Sequence, residues 1–371
     1  MKILHVVTLV TPDGELGGPL RVALIQLREL MRRGHEVLLV AGARGFEGEL
    51  PREFHGVPVK LFPAVQVLPG AGFAGVSAPT MAPWLLANLS RFDAVHLHFA
   101  RDLVLVPAAA AVLAARRKYV AQTHGMVVPN SKKSAKILDS VVVRRALSRA
   151  DVVYALVETE RAELLKVEPK AQVEVLPNGL DFDEPRPQAN PAEKTDVLYL
   201  ARLAPRKRPM DFVQAAKLLA ADFPEWTFSL VGPDEGEVEA INRVLAADPA
   251  LARRVRWEGP LAPDQTAGRM AQAGVYVLPA EREPFGMTII EAQAVGLPVV
   301  MRSDCGIAPG IVNADAGVAY DGGAEELAAA LRPLLSSPEA RTSLGERAQQ
   351  YVRSAFGVSS VVDRLERRYR S

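Results

Sequence analysis

The sequence predicts two doubly wound, Rossmann-like α/β domains, and three observations carry that prediction. Short apolar runs alternate with amphipathic stretches along nearly the whole chain, the mark of parallel sheets covered by helices on both faces. The alternation breaks once, at Asp181–Pro191, which is rich in proline and charge and has no apolar period, and then resumes. The length, 371 residues, is enough for two buried cores.

In chain order, Ile3–Leu9 reads as a first buried strand and Leu20–Arg33 as an amphipathic helix closed by Gly34. Glu36–Ala41, Ala94–His98, Tyr119–Thr123, Val152–Leu156 and Val173–Leu176 read as further strands of the first domain. After the break, Val197–Ala201 opens the second domain and Pro209–Ala221 is its first helix. Thr227–Val231, Val255–Trp257, Val275–Leu278 and Pro298–Met301 follow as strands, with a helix over Ile289–Val295. The expected boundaries are therefore 1–181, a linker over 182–195, and 196–355, with a final helix over 356–371. Two such domains put the carboxyl ends of their strands across a cleft, and ligands of this architecture bind at those ends.

Composition excludes several classes. Lys and Arg number 44 against 43 Asp and Glu, so no global charge points to nucleic acid. Cys305 is the single cysteine, and Ser303-Asp304-Cys305-Gly306 offers it no activating neighbour. The first residues read as a strand without a cleavage pattern, and the apolar stretch Leu103–Ala115 is broken by Pro107 and short for a bilayer, so a cytoplasmic protein is expected.

The chemistry sits in strand-to-helix loops. Gly17-Gly18 before the first helix allows close backbone approach to an anion, or is a plain glycine turn. No G-x-G-x-x-G occurs and no acidic residue ends the second strand, which weighs against a dinucleotide site. Arg202, Arg206, Lys207 and Arg208 crowd one loop, as a diphosphate requires and as a solvated basic loop also would. Glu283 and Glu291 bracket the helix start at Phe285-Gly286-Met287-Thr288, whose amides can face phosphate or sugar oxygens. Thr288 and Glu291 also spell a T-x-x-E capping box, which would give Glu291 a purely structural role.

Together these residues resemble the family 4 glycosyltransferases of GT-B fold, over essentially the whole chain. Glu283-Pro-Phe-Gly to Glu291 matches that family's E-x7-E signature, Arg202 and Lys207 its diphosphate pair, Gly17-Gly18 and Arg33-Gly34-His35-Glu36-Val37 its N-terminal pattern, and Leu176-Pro177-Asn178-Gly179 the segment before its hinge. The resemblance implies two Rossmann-like domains facing each other, an acceptor-side N-terminal one and a donor-binding C-terminal one. The last helix, 356–371, would pack back on the first domain. It implies retaining transfer of a hexose from a nucleotide-diphosphate sugar, a UDP-sugar in preference to a GDP-sugar, with no metal or other cofactor required. Arg202 and Lys207 would bind the diphosphate, Glu291 the ribose, and Glu283 the transferred sugar. The amides of Phe285, Gly286, Met287 and Thr288 would meet sugar and phosphate oxygens, Gly17 and Gly18 would close over the diphosphate, and His124 would face the reacting sugar. The chain departs from the family pattern at Ala201 and Arg208, and the second leaves open which cation joins Lys207.

The expected acceptor is a carbohydrate, a lipid-linked or a small-molecule hydroxyl, in cell-surface glycan, glycolipid or glycoside synthesis. The rival readings are an NAD(P)-dependent oxidoreductase and a non-catalytic nucleotide-sugar-binding protein. Asp181-Phe182-Asp183 spells a metal-diphosphate motif but falls in the linker, and His96 and His98 share a strand face without a third ligand at suitable spacing. Ser131–Arg149 carries six cations around Ile137, Leu138, Val141 and Val142, and with the apolar residues of Val65–Trp84 raises peripheral contact with a membrane; a stripe packed on the first domain is the alternative.

Overall fold

The computed structural model describes residues 1–12, 18–70, 72–130 and 139–370, and these divide into two units, Met1–Asp181 with Val358–Ser371, and Phe182–Gly357. The strands of the first unit are β1 (Lys2–Val10), β2 (Glu36–Ala43), β3 (Glu53–Phe54), β4 (Val57–Pro63), β5 (Val65–Gln66), β6 (Val76–Ser77), β7 (Ala94–His98), β8 (Val120–Gln122), β9 (Val152–Ala155) and β10 (Val173–Val175). Eight of them form one sheet in the order β10-β9-β8-β7-β1-β2-β4-β3, parallel except for the β3–β4 edge, while β5 and β6 make a separate hairpin. Alternate residues of the parallel strands face opposite layers. Leu4, Val6, Leu97, Ala121 and Val153 belong to one core and Ile3, Val7, Val120, Val152 and Tyr154 to the other.

The second core is closed by two helices. Gly18–Arg32 buries Leu20, Ala23, Leu24, Leu27 and Leu30, spaced for one helical face, and ends at Gly34 with φ 82°. Val358–Arg370 buries Val358, Val361, Val362 and Leu365 in the same core, with Tyr369 packed against it. Arg33 ties the two helices together, donating to Asp363 at 2.6 Å and Glu366 at 2.7 Å. Gly179 is required beneath the last helix, because a Cβ there would lie 2.7 Å from the Val358 Cα.

The second unit contains β11 (Asp196–Leu200), β12 (Thr227–Val231), β13 (Val255–Trp257), β14 (Val275–Leu278), β15 (Val299–Arg302) and β16 (Val318–Tyr320), all parallel in the order β13-β12-β11-β14-β15-β16. Helices Pro209–Leu219 and Ala324–Ser336 share the apolar core with Phe228, Val275 and Val300.

Four local expectations change. The segment 182–195 is packed on the second unit: buried Arg341 donates to the carbonyls of Pro191 at 2.7 Å and Ala192 at 3.0 Å, and Ala189 N donates to Val295 O at 2.7 Å. Phe356 lies outside the last helix, edge-on to Phe285 in the second unit at 5.6 Å, and the helix begins at Val358. Within Val65–Trp84 the chain forms the β5–β6 hairpin and enters helix Met81–Asn88. Of the basic stretch Ser131–Arg149, residues 131–138 lie outside the described ones; beyond them Val142 packs against the first core and Val141 is exposed. Among the described residues no helix is long and apolar enough to cross a membrane.

Candidate functional site

In the second unit the chain leaves β11 toward β12 on one side and returns through β14 on the other, so the carboxyl ends of β11 and β14 mark the point where strand order reverses. The loops leaving those two ends carry the residues singled out by the sequence. Lys207 Nζ donates to Glu283 Oε2 at 2.6 Å, and Arg206 approaches the same oxygen at 3.3 Å. The Glu281 amide donates to Arg206 O at 2.9 Å, which pins one loop to the other. Burial raises the Glu283 pKa, but Lys207, Arg206 and the Gly286 amide outweigh it and hold the carboxyl below its ordinary range.

The remaining cations separate. Arg202 is more than half exposed and pairs with Glu235 at 2.7 Å. Arg208 takes a left-handed backbone, φ 53°, at the start of helix Pro209–Leu219 and turns to Asp211 at 2.9 Å. Arg206 is thus the cation that shares Glu283 with Lys207, while Arg202 stands on Glu235.

Helix Met287–Ala294 begins at Gly286, whose φ of 77° suits glycine and whose Cβ, if present, would meet Ile289 at 2.8 Å. No side chain caps it. The T-x-x-E capping box is accordingly not formed: Thr288 is the second helical residue, and its hydroxyl lies 2.6 Å from Tyr276 Oη. The Met287 and Thr288 amides belong to the first turn, which intrahelical bonds leave unfilled. Phe285 is buried, and Glu291 is 6% exposed on the same helix. Tyr276 links these parts, its hydroxyl also 3.2 Å from Leu200 O at the end of β11. Burial drives its phenol pKa well up, and the nearby Glu291 and Glu283 carboxylates add to that. Cys305 is buried, which pushes its thiol up to about 12 and leaves it a packing residue.

In the first unit, Gly18 opens helix Gly18–Arg32 with free space around it, and Gly17 lies outside the described residues. His124 follows β8 in a left-handed conformation, φ 52°. Buried Glu160 holds that turn, accepting from Thr123 Oγ1 at 2.6 Å, the Gly125 amide at 2.5 Å and the Leu156 amide at 2.7 Å. Burial pushes the His124 pKa down to about 3. Its Nε2 lies 2.8 Å from His98 Nδ1, and His98 Nε2 lies 3.0 Å from His5 Nδ1. His5 is the neighbour that spacing along the chain did not supply for His96 and His98; it sits across from His96 on the adjacent strand. Asp181 of the D-x-D pairs with Arg32 at 3.0 Å.

Sequence reasoning missed Tyr276, Arg206 as the partner of Glu283, Glu160 and His5. Each acts across strands, and only parallel pairing places it.

The chain matches the family model described as glycosyl transferases group 1 over residues 181–351 and that described as glycosyltransferase family 4 over residues 16–184. A D-inositol 3-phosphate glycosyltransferase of Thermobispora bispora is 29% identical, the match covering 59% of this chain and 56% of that protein. A glycogen synthase of Mycobacterium tuberculosis is 30% identical over 52% of this chain and 46% of its own length. The chain thus spans about half the length of these curated relatives. The crystal structure of Anabaena Alr3699/HepE in complex with UDP and glucose superimposes with a TM-score of 0.77 at 22% identity, covering 100% of both chains.

Proposed function

Because the chain belongs to the family 4 glycosyltransferases of GT-B fold, we propose that it moves a hexose from a nucleotide-diphosphate sugar to an acceptor hydroxyl with retained anomeric configuration. The observation that carries this reading is the Lys207–Glu283 pair at the reversal point of the second sheet, followed directly by the open helix start at Met287 and Thr288 and by buried Glu291. Lys207 and Arg202 hold the diphosphate, as a point charge and a fork. Helix amides receive phosphate and sugar oxygens. Glu291 takes the ribose hydroxyls, and Glu283, kept ionised by Lys207, lies against the transferred sugar. Gly17, Gly18 and His124 are the first unit's contribution.

Catalysis then rests on fixed charge and position. The cations stabilise the negative charge that builds on the leaving diphosphate, and its phosphate oxygen accepts the acceptor's proton. No divalent metal is needed for this chemistry. UDP is the expected nucleotide of the donor, and the relative solved with UDP and glucose supports that choice. The acceptor is a carbohydrate, lipid-linked or small-molecule hydroxyl, met in the cytoplasm or at the cytoplasmic face of a membrane.

A thermal-shift panel tests the reading. Stabilisation by UDP and a UDP-sugar, with none by NAD or NADP, is expected; stabilisation by NAD and not by any nucleoside diphosphate overturns it.

A further inference from the structure

Beneath the last helix, the sheet of the first unit carries a buried row of imidazoles. His5 on β1 pairs in register with His96 on β7, and His98 shares that face two residues on. All three are fully buried. Their nitrogens form a chain. His124 Nε2 lies 2.8 Å from His98 Nδ1, His98 Nε2 3.0 Å from His5 Nδ1, His5 Nε2 3.1 Å from Tyr369 Oη, and Tyr369 Oη 2.7 Å from His96 Nδ1. The two ends are His124 Nδ1 and His96 Nε2, both buried and neither with a partner among the described residues.

A shared metal ion does not suit this arrangement. His96 and His98 are stacked with their planes 1° apart, 4.5 Å between centroids. Imidazole lone pairs lie in the ring plane, so these two run parallel and do not converge on one point.

A continuous hydrogen-bonded chain suits it. A neutral imidazole has one N–H and one lone pair, and a phenol donates once and accepts. Burial keeps all four rings neutral. Each link needs one donor and one acceptor, so the proton position on one ring fixes the next. Two arrangements leave no link mismatched and keep the Tyr369 hydroxyl both donating and accepting: every ring protonated on Nε2, or every ring protonated on Nδ1. The first strands an N–H at His96, whose residue is fully buried; the second leaves it on His124 Nδ1, itself buried but on a residue that reaches the surface. An unfilled donor costs least where it is nearest solvent or ligand.

We propose that His96, Tyr369, His5 and His98 form a relay that holds His124 as a neutral Nδ1–H donor, which makes His98 a positioning residue for the hydrogen bond His124 gives to an oxygen of the bound sugar. That last oxygen rests on the transferase reading; the relay does not. The C-terminal helix enters through Tyr369, and Glu160 fixes the turn on which His124 stands.

The test is 15N NMR of the imidazoles in the unliganded full chain at pH 7. All four rings are expected as the Nδ1–H form. In His98→Phe, His124 becomes a mixture of tautomers and the transfer rate falls roughly three- to tenfold, the fold-change of one lost hydrogen bond, with the donor KM unchanged. In Tyr369→Phe, His96 leaves the chain and His5 Nε2 loses its partner, while His124, still linked through His98 to His5, keeps its form. Neighbouring rings of opposite tautomer in the native chain, a protonated ring at pH 7, joint displacement of the His5, His96 and His98 signals by added zinc, or an unchanged His124 in His98→Phe each overturns the relay. Uniform tautomers in a chain that transfers no sugar would leave the relay standing and count against the transferase reading alone.

Discussion

Lys207 Nζ sits 2.6 Å from Glu283 Oε2 and joins the loop after β11 to the loop after β14. The pair fixes what each loop residue does on substitution. Lys207→Ala is expected to weaken nucleoside diphosphate binding by about 1.5–3 kcal/mol, the scale of a lost charge-assisted hydrogen bond. Arg202→Ala should lose a similar amount, and Arg208→Ala, whose guanidinium serves Asp211, should lose little. Glu283→Gln should spare free nucleotide and reduce turnover. Isothermal titration separates the four variants, and unchanged affinity in both Lys207→Ala and Arg202→Ala would remove the phosphate assignment.

Glu291 stands in a helix that Gly286 begins, so its carboxylate does not cap that helix. Glu291→Gln is therefore expected to weaken both nucleotide and nucleotide-sugar while leaving the melting temperature near the native value. A lowered melting temperature with native affinity would mean that the residue serves the fold alone.

Acid should act differently on the two units. The Glu283 pKa is depressed, so its contribution to the second unit is complete above about pH 4.5 and is lost only as pH falls through the lower folded value. The buried imidazoles of the first unit have folded values below 6.5, so their contribution is complete above that pH and declines beneath it. Each ring adds a slope of up to about 1.4 kcal/mol per pH unit. Asp102 and Glu160, both raised first by burial, offset part of this. Scanning calorimetry between pH 7 and 5 should show the first unit's transition falling faster than the second's; parallel movement of both would contradict it.

Transfer should persist in excess EDTA, since the fixed cations supply the charge that a metal would bring. Abolition by EDTA with recovery in magnesium or manganese would assign the phosphate work to a metal instead.

Both sheets were legible because apolar alternation and parallel order go together, and the loops after β11 and β14 were legible because charge and glycine crowd them. Other features lay beyond local pattern. β4 carries Pro58 and Pro63, which weaken a strand reading, yet it pairs with β2 from Leu39 to Ala43. Thr288 satisfies a capping spacing, but a left-handed glycine starts the helix two residues earlier. Phe356 fits the last apolar stripe by period and is taken by Phe285 instead. His5 and His98 are 93 residues apart, and only the β1–β7 register brings them together.

The most direct measurement is native mass spectrometry of the full chain after incubation with equal UDP-, GDP- and ADP-hexoses. One retained nucleotide-sugar, UDP-linked, is expected, with loss of that retention in Lys207→Ala. A chain that retains none of the three, or one that retains NAD when offered it beside them, would contradict transfer from a UDP-sugar.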